Sequence, residues 1–298
     1  MPIRYGSATH WEGDEMQKLS GKTGVICIIG NPIEHSLSPV MQNAAFTASQ
    51  LDYVYVPFAV PAGKLEVAVS GLRALGVQGF NVTIPYKTAI IPLLDQLDES
   101  AESAGAVNTV KLSGTSLIGY NTDGDGLVDS LSIDLDFHPG KEQILVIGAG
   151  GAARGAIAAL CRAGAKNILV CNRSLENANA VMQDMKSRYP GTHIDIIKLD
   201  QLNEKHLNST FLLLNTTSLG MKGEKISFIN LTHLPEHAKV YDMVYSKSAT
   251  PLVAEASASF IRAANGIGML IAQGERAFEI WTGQKSPKDV MRKALEHI

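Results

Sequence analysis

Residues 143–155 read QILVIGAGGAARG, and this stretch decides the fold. Its first five residues are an apolar run that predicts a buried strand, and its alanine-rich end predicts a helix. The pattern G-x-G-x-x-A lies between them: Gly148 permits a tight turn, Gly150 lets the backbone approach a bound group, and Ala153 allows close helix–strand packing. This order is typical of a dinucleotide site, where the pyrophosphate lies on the helix N-terminus. We assign the whole turn to that site: Gly148, Ala149, Gly150, Gly151 and Ala152.

The next strand, predicted over residues 167–171, indicates which dinucleotide binds. Sites for NAD usually end this strand with Asp or Glu, which binds the ribose 2′-hydroxyl. Here the strand ends in Cys171-Asn172-Arg173-Ser174, without an acid. Arg173 can pair with a 2′-phosphate, and Asn172 and Ser174 can hydrogen-bond it, so the sequence predicts NADP as the cofactor.

Composition narrows the class of protein. Of the 298 residues, 45% are hydrophobic and 18% charged, which is globular composition. The net charge of -3 gives no reason to expect nucleic acid or an anionic membrane as a partner. No apolar run reaches the roughly 18 residues that span a bilayer. The widely spaced Cys27, Cys161 and Cys171 fit neither a disulfide framework nor a metal site, so we expect buried thiols, no metal and a cytoplasmic location.

Apolar runs alternate with helical patterns along most of the chain, which indicates parallel βα units and an α/β fold. We predict an N-terminal α/β substrate domain over residues 21–123 and a Rossmann-type doubly wound NADP domain over 124–265. C-terminal helices within 266–298 are predicted to return to the first domain. Residues 1–20 carry three acids and no apolar core, which predicts a poorly ordered leader rather than a signal peptide. Within the second domain, residues 256–264 predict a helix.

Three polar segments of the first domain lie at or near the ends of predicted strands: S-L-S-P at 36–39, N-V-T-I-P-Y-K at 81–87 and N-T-D-G-D-G at 121–126. Ligands of α/β folds gather at the C-terminal ends of strands, so we expect these segments to converge. Ser36 and Ser38 suit a carboxylate, and Ser38, which precedes a proline, also predicts the N-cap of a helix. A lysine near an aspartate suits proton transfer to and from a hydroxyl.

Nine short motifs occur in an order that is typical of one enzyme family: S-L-S-P, N-V-T-I-P-Y-K, G-A-V-N-T, N-T-D-G-x-G, G-A-G-G-A, N-R-S, N-T-T-S-x-G-M, Y-D-M-V-Y and A-F-E-x-W-T-G. The set resembles the shikimate dehydrogenase family over about residues 24–283, nearly the whole chain beyond the leader. The resemblance implies an NADP-dependent oxidoreductase that reversibly reduces 3-dehydroshikimate to shikimate, on the pathway to chorismate and the aromatic amino acids.

The resemblance also implies roles for individual residues. Ser36 and Ser38 hold the substrate carboxylate, while Lys87 and Asp123 act on the hydroxyl whose carbon gives up hydride. Further matched positions are the substrate contacts Asn81, Thr83, Asn108, Tyr245 and Gln273, and the nicotinamide contacts Met243 and Gly266. Lys87 could serve as a general base or as a charged donor to a developing alkoxide, and the residues leave both roles open. After the glutamine, where the family often has alanines, this chain has Gly274-Glu275-Arg276.

Three other functions stay open from the residues alone. A quinate or quinate/shikimate dehydrogenase would share the motifs, although the acid-free strand end at Arg173 argues against an NAD-linked quinate enzyme. A catalytically silent dinucleotide sensor would not need both Lys87 and Asp123. A methylene-tetrahydrofolate-type dehydrogenase would not explain Ser36 and Ser38. The residues do not determine the oligomeric state, and a homodimer is one alternative.

Overall fold

The computed structural model describes residues 19–246 and 248–296. The leader predicted over residues 1–20 therefore lies outside the described residues, apart from Leu19 and Ser20. The described chain forms two six-stranded sheets with helices packed around them.

The first sheet is mixed. Its strands are β1 Gly24–Gly30, β2 Tyr53–Ala59, β3 Gly79–Val82, β4 Gln96–Leu97, β5 Thr109–Ser113 and β6 Ser116–Tyr120. They are arranged in the order β2-β1-β3-β5-β6-β4. β1 pairs in parallel with β2 and β3, whereas β5 is antiparallel to β3 and β6. Because β1 and β3 run the same way, the loops that follow Gly30 and Val82 meet at one edge of the sheet.

The second sheet is entirely parallel. Its strands are β7 Gln143–Ile147, β8 Asn167–Asn172, β9 His193–Lys198, β10 Thr210–Asn215, β11 Lys239–Asp242 and β12 Arg262–Asn265. In the order β12-β11-β10-β7-β8-β9, the chain leaves β7 in one direction and later returns to β10 on its other side. This is the doubly wound Rossmann arrangement, which confirms the predicted fold class. Ligands of such sheets bind beyond the C-terminal strand ends at this switch point.

The helices within the described residues are α1 Ser38–Ala48, α2 Leu65–Ala74, α3 Glu99–Ala104, α4 Asp123–Leu135, α5 Gly151–Arg162, α6 Leu175–Arg188, α7 Glu204–Asn208, α8 Pro251–Ala258, α9 Ile267–Thr282 and α10 Val290–Glu296. Short 3₁₀ segments lie at Ile91–Leu93, Leu199–Gln201 and Leu231–His233. Phe278 of α9 and Met291 of α10 share a buried cluster with Ile26 of β1. The C-terminal helices therefore return to the first sheet, as the sequence predicts.

The apolar run of β7 is explained by burial of the second sheet on both faces. Ile144 and Val146 pack with Ile157 of α5 on one face. Leu145 and Ile147 belong to the cluster on the other face. A strand covered on both sides reads as a continuous apolar run instead of an alternating one.

Two local predictions are wrong. Residues 256–264 do not form one helix, because α8 ends at Ala258, Phe260 adopts a positive φ of 58°, and the chain continues as β12. The small residues of β12 have no strong strand preference of their own, and parallel pairing with β11 places them in the sheet. Ser38 is the first residue of α1 and not its cap: Leu37 occupies the cap position and the Ser38 side chain forms no capping bond.

Candidate active site

A cleft of about 1030 Å³ lies between the loops that follow β1 and β3 and the N-terminus of α5. The predicted site residues that line it are Ser36, Ser38, Asn81, Thr83, Lys87, Asn108, Asp123, Ala149, Gly150, Gly151, Ala152, Met243, Tyr245, Gly266 and Gln273. The cleft thus brings the three polar segments together with most of the glycine turn. Gly148, Asn172, Arg173 and Ser174 lie outside this lining, at the base of the turn and at the end of β8.

Ser36 and Ser38 form a corner of the cleft, which we call the serine corner. The Ser36 hydroxyl oxygen accepts a hydrogen bond from the Ser38 backbone N–H at 3.3 Å, which is the capping role that the sequence analysis gave to Ser38. Because Ser36 Oγ is the acceptor in that bond, its own O–H is left for a ligand. The N-terminal end of α1 adds a partial positive charge, so the serine corner suits a carboxylate.

Lys87 and Asp123 form an ion pair inside the cleft. Lys87 Nζ donates to Asp123 Oδ2 at 2.5 Å, and the two side chains are 32% and 26% exposed. An ammonium group has three N–H bonds, so two remain for substrate oxygens. Asn121 forms the Asx turn at the start of α4, since its Oδ1 accepts the Asp123 backbone N–H at 3.1 Å. The Asp123 carboxylate is therefore left for Lys87, and the pair can take or return a proton.

The buried side chain of Asn108 orients the Asp123 carboxylate. Asn108 Nδ2 donates to Asp123 Oδ1 and to Thr122 Oγ1, both at 2.9 Å, and lies 3.4 Å from Gln273 Oε1. Asn108 Oδ1 accepts the Thr122 backbone N–H at 2.8 Å. Gln273 Nε2 donates one hydrogen to the Leu270 carbonyl at 2.8 Å, which leaves its second hydrogen for a ligand.

Asn81 is held by three hydrogen bonds within the protein. Its Nδ2 donates to the Asn108 carbonyl at 2.9 Å and to Thr109 Oγ1 at 3.0 Å, and its Oδ1 accepts the Tyr55 hydroxyl at 2.6 Å. A carbonyl oxygen can only accept, so the Asn108 carbonyl fixes which way the amide faces. Asn81 therefore offers a ligand one lone pair of Oδ1 and no hydrogen. Thr83 lines the same wall, and no described residue hydrogen-bonds its hydroxyl.

Buried Asp242 holds the loop that forms the opposite wall. Its carboxylate accepts hydrogen bonds from Asn215 Nδ2 at 2.8 Å, Thr250 Oγ1 at 2.6 Å and the Val244 backbone N–H at 3.1 Å. Burial raises the pKa of the Asp242 carboxyl, and these three bonds oppose the rise. The bonds fix the chain on both sides of Met243.

Met243, Tyr245 and Gly266 present this wall to the cleft. Tyr245 is 49% exposed, so its ring lies at the cleft mouth. A Cβ at Gly266 would lie 2.4 Å from the Met243 carbonyl oxygen, so only glycine lets the start of α9 approach this loop. The three residues thus line the same cleft as the glycine turn.

The glycine turn has one glycine required by the protein and two that face open space. Gly148 has a φ of 109°, and an added Cβ would lie 2.7 Å from Thr216 Oγ1. At Gly150 and Gly151 an added Cβ would meet no atom within 4 Å, and both residues line the cleft. The space above the N-terminus of α5 therefore fits a pyrophosphate, which its backbone N–H groups would bind.

The end of β8 presents a cation next to this turn. Arg173 is exposed, and among the residues that the structure describes none forms an ion pair with it. Asn172 Nδ2 donates to the Ser174 carbonyl at 2.7 Å, which closes the strand end into a compact turn. A 2′-phosphate at this position would meet a guanidinium without a competing carboxylate.

Comparison with known proteins decides the family. Three family models match: shikimate dehydrogenase substrate binding domain over residues 28–110, shikimate / quinate 5-dehydrogenase over residues 135–220, and shikimate 5′-dehydrogenase C-terminal domain over residues 266–296. Shikimate dehydrogenase (NADP(+)) of Geobacter metallireducens is 51% identical over 93% of this chain and 97% of its own length. The chain belongs to the shikimate dehydrogenase family.

Solved structures of shikimate dehydrogenases share the fold as well. A crystal structure of a shikimate dehydrogenase in complex with NADP+ is 36% identical, with a TM-score of 0.87 over 96% of this chain and 99% of the other. Shikimate 5-dehydrogenase from Listeria monocytogenes, crystallised with shikimate and NAD, is 34% identical, with a TM-score of 0.88 over 94% of this chain and 99% of the other. The two-sheet architecture is therefore that of the shikimate dehydrogenase family.

The described residues of this family member contain neither a metal-binding cluster nor a helix that could cross a membrane. Across residues 19–246 and 248–296, no group of three or more His, Cys, Asp or Glu side chains is placed to hold a metal ion. In the same ranges, no helix has the length and apolar character needed to cross a bilayer.

Sequence reasoning missed two residues at this shikimate dehydrogenase site. Arg154 of α5 lines the cleft and is held by Asp184 at 2.5 Å. Arg154 could have been noticed in the sequence, because it is a charged residue at the start of an alanine-rich helix. Tyr55 lies behind the wall that carries Asn81. It reads as an ordinary strand tyrosine, and no sequence signal connects it to the site.

Proposed function

We propose that this chain is an NADP-dependent shikimate dehydrogenase, which reversibly reduces 3-dehydroshikimate to shikimate in aromatic amino acid biosynthesis. The observation that carries the proposal is the Lys87–Asp123 ion pair, which faces the same cleft as the serine corner and the glycine turn. Oxidation of a hydroxy acid needs an anchor for the acid, a proton acceptor at the hydroxyl and a dinucleotide pocket within one cavity.

The chain's own residues bind the substrate and move the proton. The serine corner holds the carboxylate, and Gln273 donates its remaining amide hydrogen to a ring hydroxyl. In the oxidation of shikimate, the reacting hydroxyl gives its proton to the Lys87–Asp123 pair as hydride leaves the carbon. In the reduction, the pair returns the proton to the developing alkoxide. Asn108 keeps Asp123 in place, so little reorganisation accompanies the transfer.

The cofactor residues are those of the second sheet and the facing loop. NADP accepts or supplies the hydride when bound. Backbone N–H groups at Gly150 to Ala152 suit its pyrophosphate. Arg173, with Asn172 and Ser174, suits the 2′-phosphate. Met243 and Gly266 suit the nicotinamide.

We extend the proposal to domain roles, location and partners. Residues 21–123 and 266–298 form the substrate domain and residues 124–265 the cofactor domain, since the serine corner lies on the first sheet and the glycine turn on the second. Three buried, unpaired cysteines support the cytoplasm as the location. The net charge of -3 supports small-molecule partners over nucleic acid or an anionic membrane.

Initial rates of reduced-cofactor formation, followed by absorbance, test the proposal with shikimate or quinate and with NADP or NAD. We expect kcat/KM for shikimate with NADP to exceed that of the other three pairings by at least about tenfold, since a polar, matched pocket discriminates hydroxyl patterns. Similar values for quinate would favour the second candidate, a quinate/shikimate dehydrogenase, which the family model over residues 135–220 includes by name. NADPH binding without turnover of either acid would overturn the proposal and favour a silent sensor.

A further inference from the structure

A fully buried glutamine joins α1 to α9. Gln42 Nε2 donates to the Gly274 carbonyl at 2.8 Å, and Gln42 does not line the cleft. A carbonyl oxygen can only accept, so the Gly274 carbonyl fixes which end of the amide faces α9. An added Cβ at Gly274 would lie 3.4 Å from Gln42 Nε2, at the limit of ordinary contact. The glycine therefore lets α1 reach the main chain of α9.

The next turn of each helix, away from the cleft, repeats this contact with aromatic rings. Phe46 of α1 stacks on Phe278 of α9, with ring centroids 5.4 Å apart. These rings come four residues after Gln42 and Gly274 respectively, and residues four apart lie on the same face of a helix. One face of α1 thus follows one face of α9 over successive turns.

The cleft end of this helix pair carries two proposed substrate ligands. Ser38 of the serine corner is four residues before Gln42, and Gln273 directly precedes Gly274. Both Ser38 and Gln273 line the cleft. Within the part of the chain that the structure describes, no second hydrogen bond joins α1 to α9. Because a hydrogen bond is directional and apolar contact is not, this bond fixes how far α9 lies along α1.

The fold itself depends little on the Gln42 amide. In a regular helix the Gly274 carbonyl also accepts the N–H of residue 278, so it keeps a partner without Gln42. No described residue donates to Gln42 Oε1. Replacing a buried polar group by an apolar one of the same shape is nearly neutral when no partner is left unsatisfied. The contribution of the amide is therefore expected in the placement of α9 and not in stability.

We propose that Gln42 is a positioning residue for substrate binding, whose bond to Gly274 sets the distance between the serine corner and Gln273. This role rests on the proposed function, which assigns the substrate carboxylate to the serine corner and a ring hydroxyl to Gln273. A rigid ring meets both ligands only at one spacing, so a change of spacing weakens binding. The Lys87–Asp123 pair keeps its own bond.

Gln42→Met removes the amide and keeps a side chain of similar size. We expect kcat/KM for shikimate to fall about fivefold, within the range for one lost buried hydrogen bond, through a higher KM. The kcat and the KM for NADP should each change less than about twofold. The Tm, measured by thermal denaturation, should stay within about 3 °C of the unaltered protein.

A double-mutant cycle with Gln273→Ala separates positioning from a general structural defect. The spacing of two ligands matters only while both bind the substrate. In the Gln273→Ala background, Gln42→Met should therefore lower kcat/KM for shikimate by less than about twofold. A general structural defect would cost about fivefold in both backgrounds.

Thr192→Val is the matched control. Thr192 Oγ1 is also buried and donates to the Ala165 carbonyl at 2.7 Å, and neither residue lines the cleft. Loss of this bond should leave the kinetics normal. Gln42→Leu, which also lacks the amide, should reproduce the losses of Gln42→Met.

Three outcomes would overturn the positioning role: an unchanged KM for shikimate in Gln42→Met, equal losses in both backgrounds of the cycle, or failure of both Gln42 variants to fold. In each of these cases, turnover of shikimate by the unaltered protein would still support the proposed function. No turnover of shikimate by the unaltered protein would overturn the proposed function and, with it, the role of Gln42.

Discussion

Gly126→Ala tests whether the spacing of α4 and α9 sets the position of Gln273. An added Cβ at Gly126 would lie 2.8 Å from the Gln273 backbone nitrogen and 3.0 Å from its Cβ. Ordinary contact begins near 3.4 Å, so the two helices must separate by about 0.6 Å, which is 3.4 less 2.8. Overpacking of this kind costs about 1–3 kcal/mol, and alanine regains up to about 1 kcal/mol of helix propensity. The overpacking term is larger, so stability falls modestly.

The larger effect is expected on catalysis. A misplacement of about 1 Å can lower a rate about 100-fold, so a shift of about 0.6 Å predicts roughly a tenfold loss of kcat/KM for shikimate. The control is Gly71→Ala in α2, where an added Cβ meets no atom within 4 Å. It should raise the Tm and leave the kinetics normal, because only helix propensity changes. If Gly126→Ala kept kcat/KM within about twofold while Gly71→Ala behaved as expected, the placement of Gln273 by α4 would be refuted.

Three more outcomes follow from the same geometry. Lys87→Ala should fold, since a part-exposed ion pair contributes only about 0–1 kcal/mol. The kcat should nevertheless fall at least about 100-fold, because one member of the pair that transfers the proton is gone. A near-normal kcat beside an unchanged melting curve would remove Lys87 from the mechanism. Arg173→Glu should raise the Kd for NADP by at least about tenfold, measured by calorimetry, and change the Kd for NAD far less; equal effects on both would contradict the 2′-phosphate assignment. Burial raises the pKa of the Cys27 thiol to about 12 and that of Cys171 to about 11, so the reactive thiolate forms in the folded protein only as the pH approaches those values. At about pH 8, iodoacetamide should leave both thiols unlabelled in the folded protein and label them after unfolding. Mass spectrometry that found either thiol modified in the folded protein would contradict this burial.

Local pattern predicted the elements that are stabilised by their own residues. β7 and β8 are apolar runs ended by turn residues, so both were predictable. β12 was not, because Ala263 and Ala264 read as helix and become a strand only through pairing with β11. The two residues of β4 likewise have no local signal and exist through pairing with β6. These are tertiary effects that override propensity.

The candidate site was also predictable only in part. Most of the positions that gather in the cleft could be predicted because the motif residues follow strands that run the same way and therefore meet at one edge of the sheet. The hydrogen-bond assignment could not, because it depends on contacts between distant elements. Tyr55 and Asn81 are bonded across 26 positions of sequence. Ser36 fills the capping role expected of Ser38 because α1 begins at Ser38.

Asn81 and Asn108 differ from the other residues predicted to contact the substrate in how their hydrogens are used. Asn81 and Asn108 give their amide hydrogens to protein acceptors, so a substrate could take one only by breaking a buried bond. Such an exchange leaves a buried acceptor unsatisfied, which costs about 1–3 kcal/mol. The contact of Asn108 Nδ2 with Gln273 Oε1 at 3.4 Å changes nothing here, because the amide has only two hydrogens and both are already donated. The hydrogens ready for a substrate therefore belong to the hydroxyls of Ser36, Ser38 and Thr83, to Lys87 and to Gln273. Asn108 holds the Asp123 carboxylate in place, and Asn81 holds the Asn108 main chain.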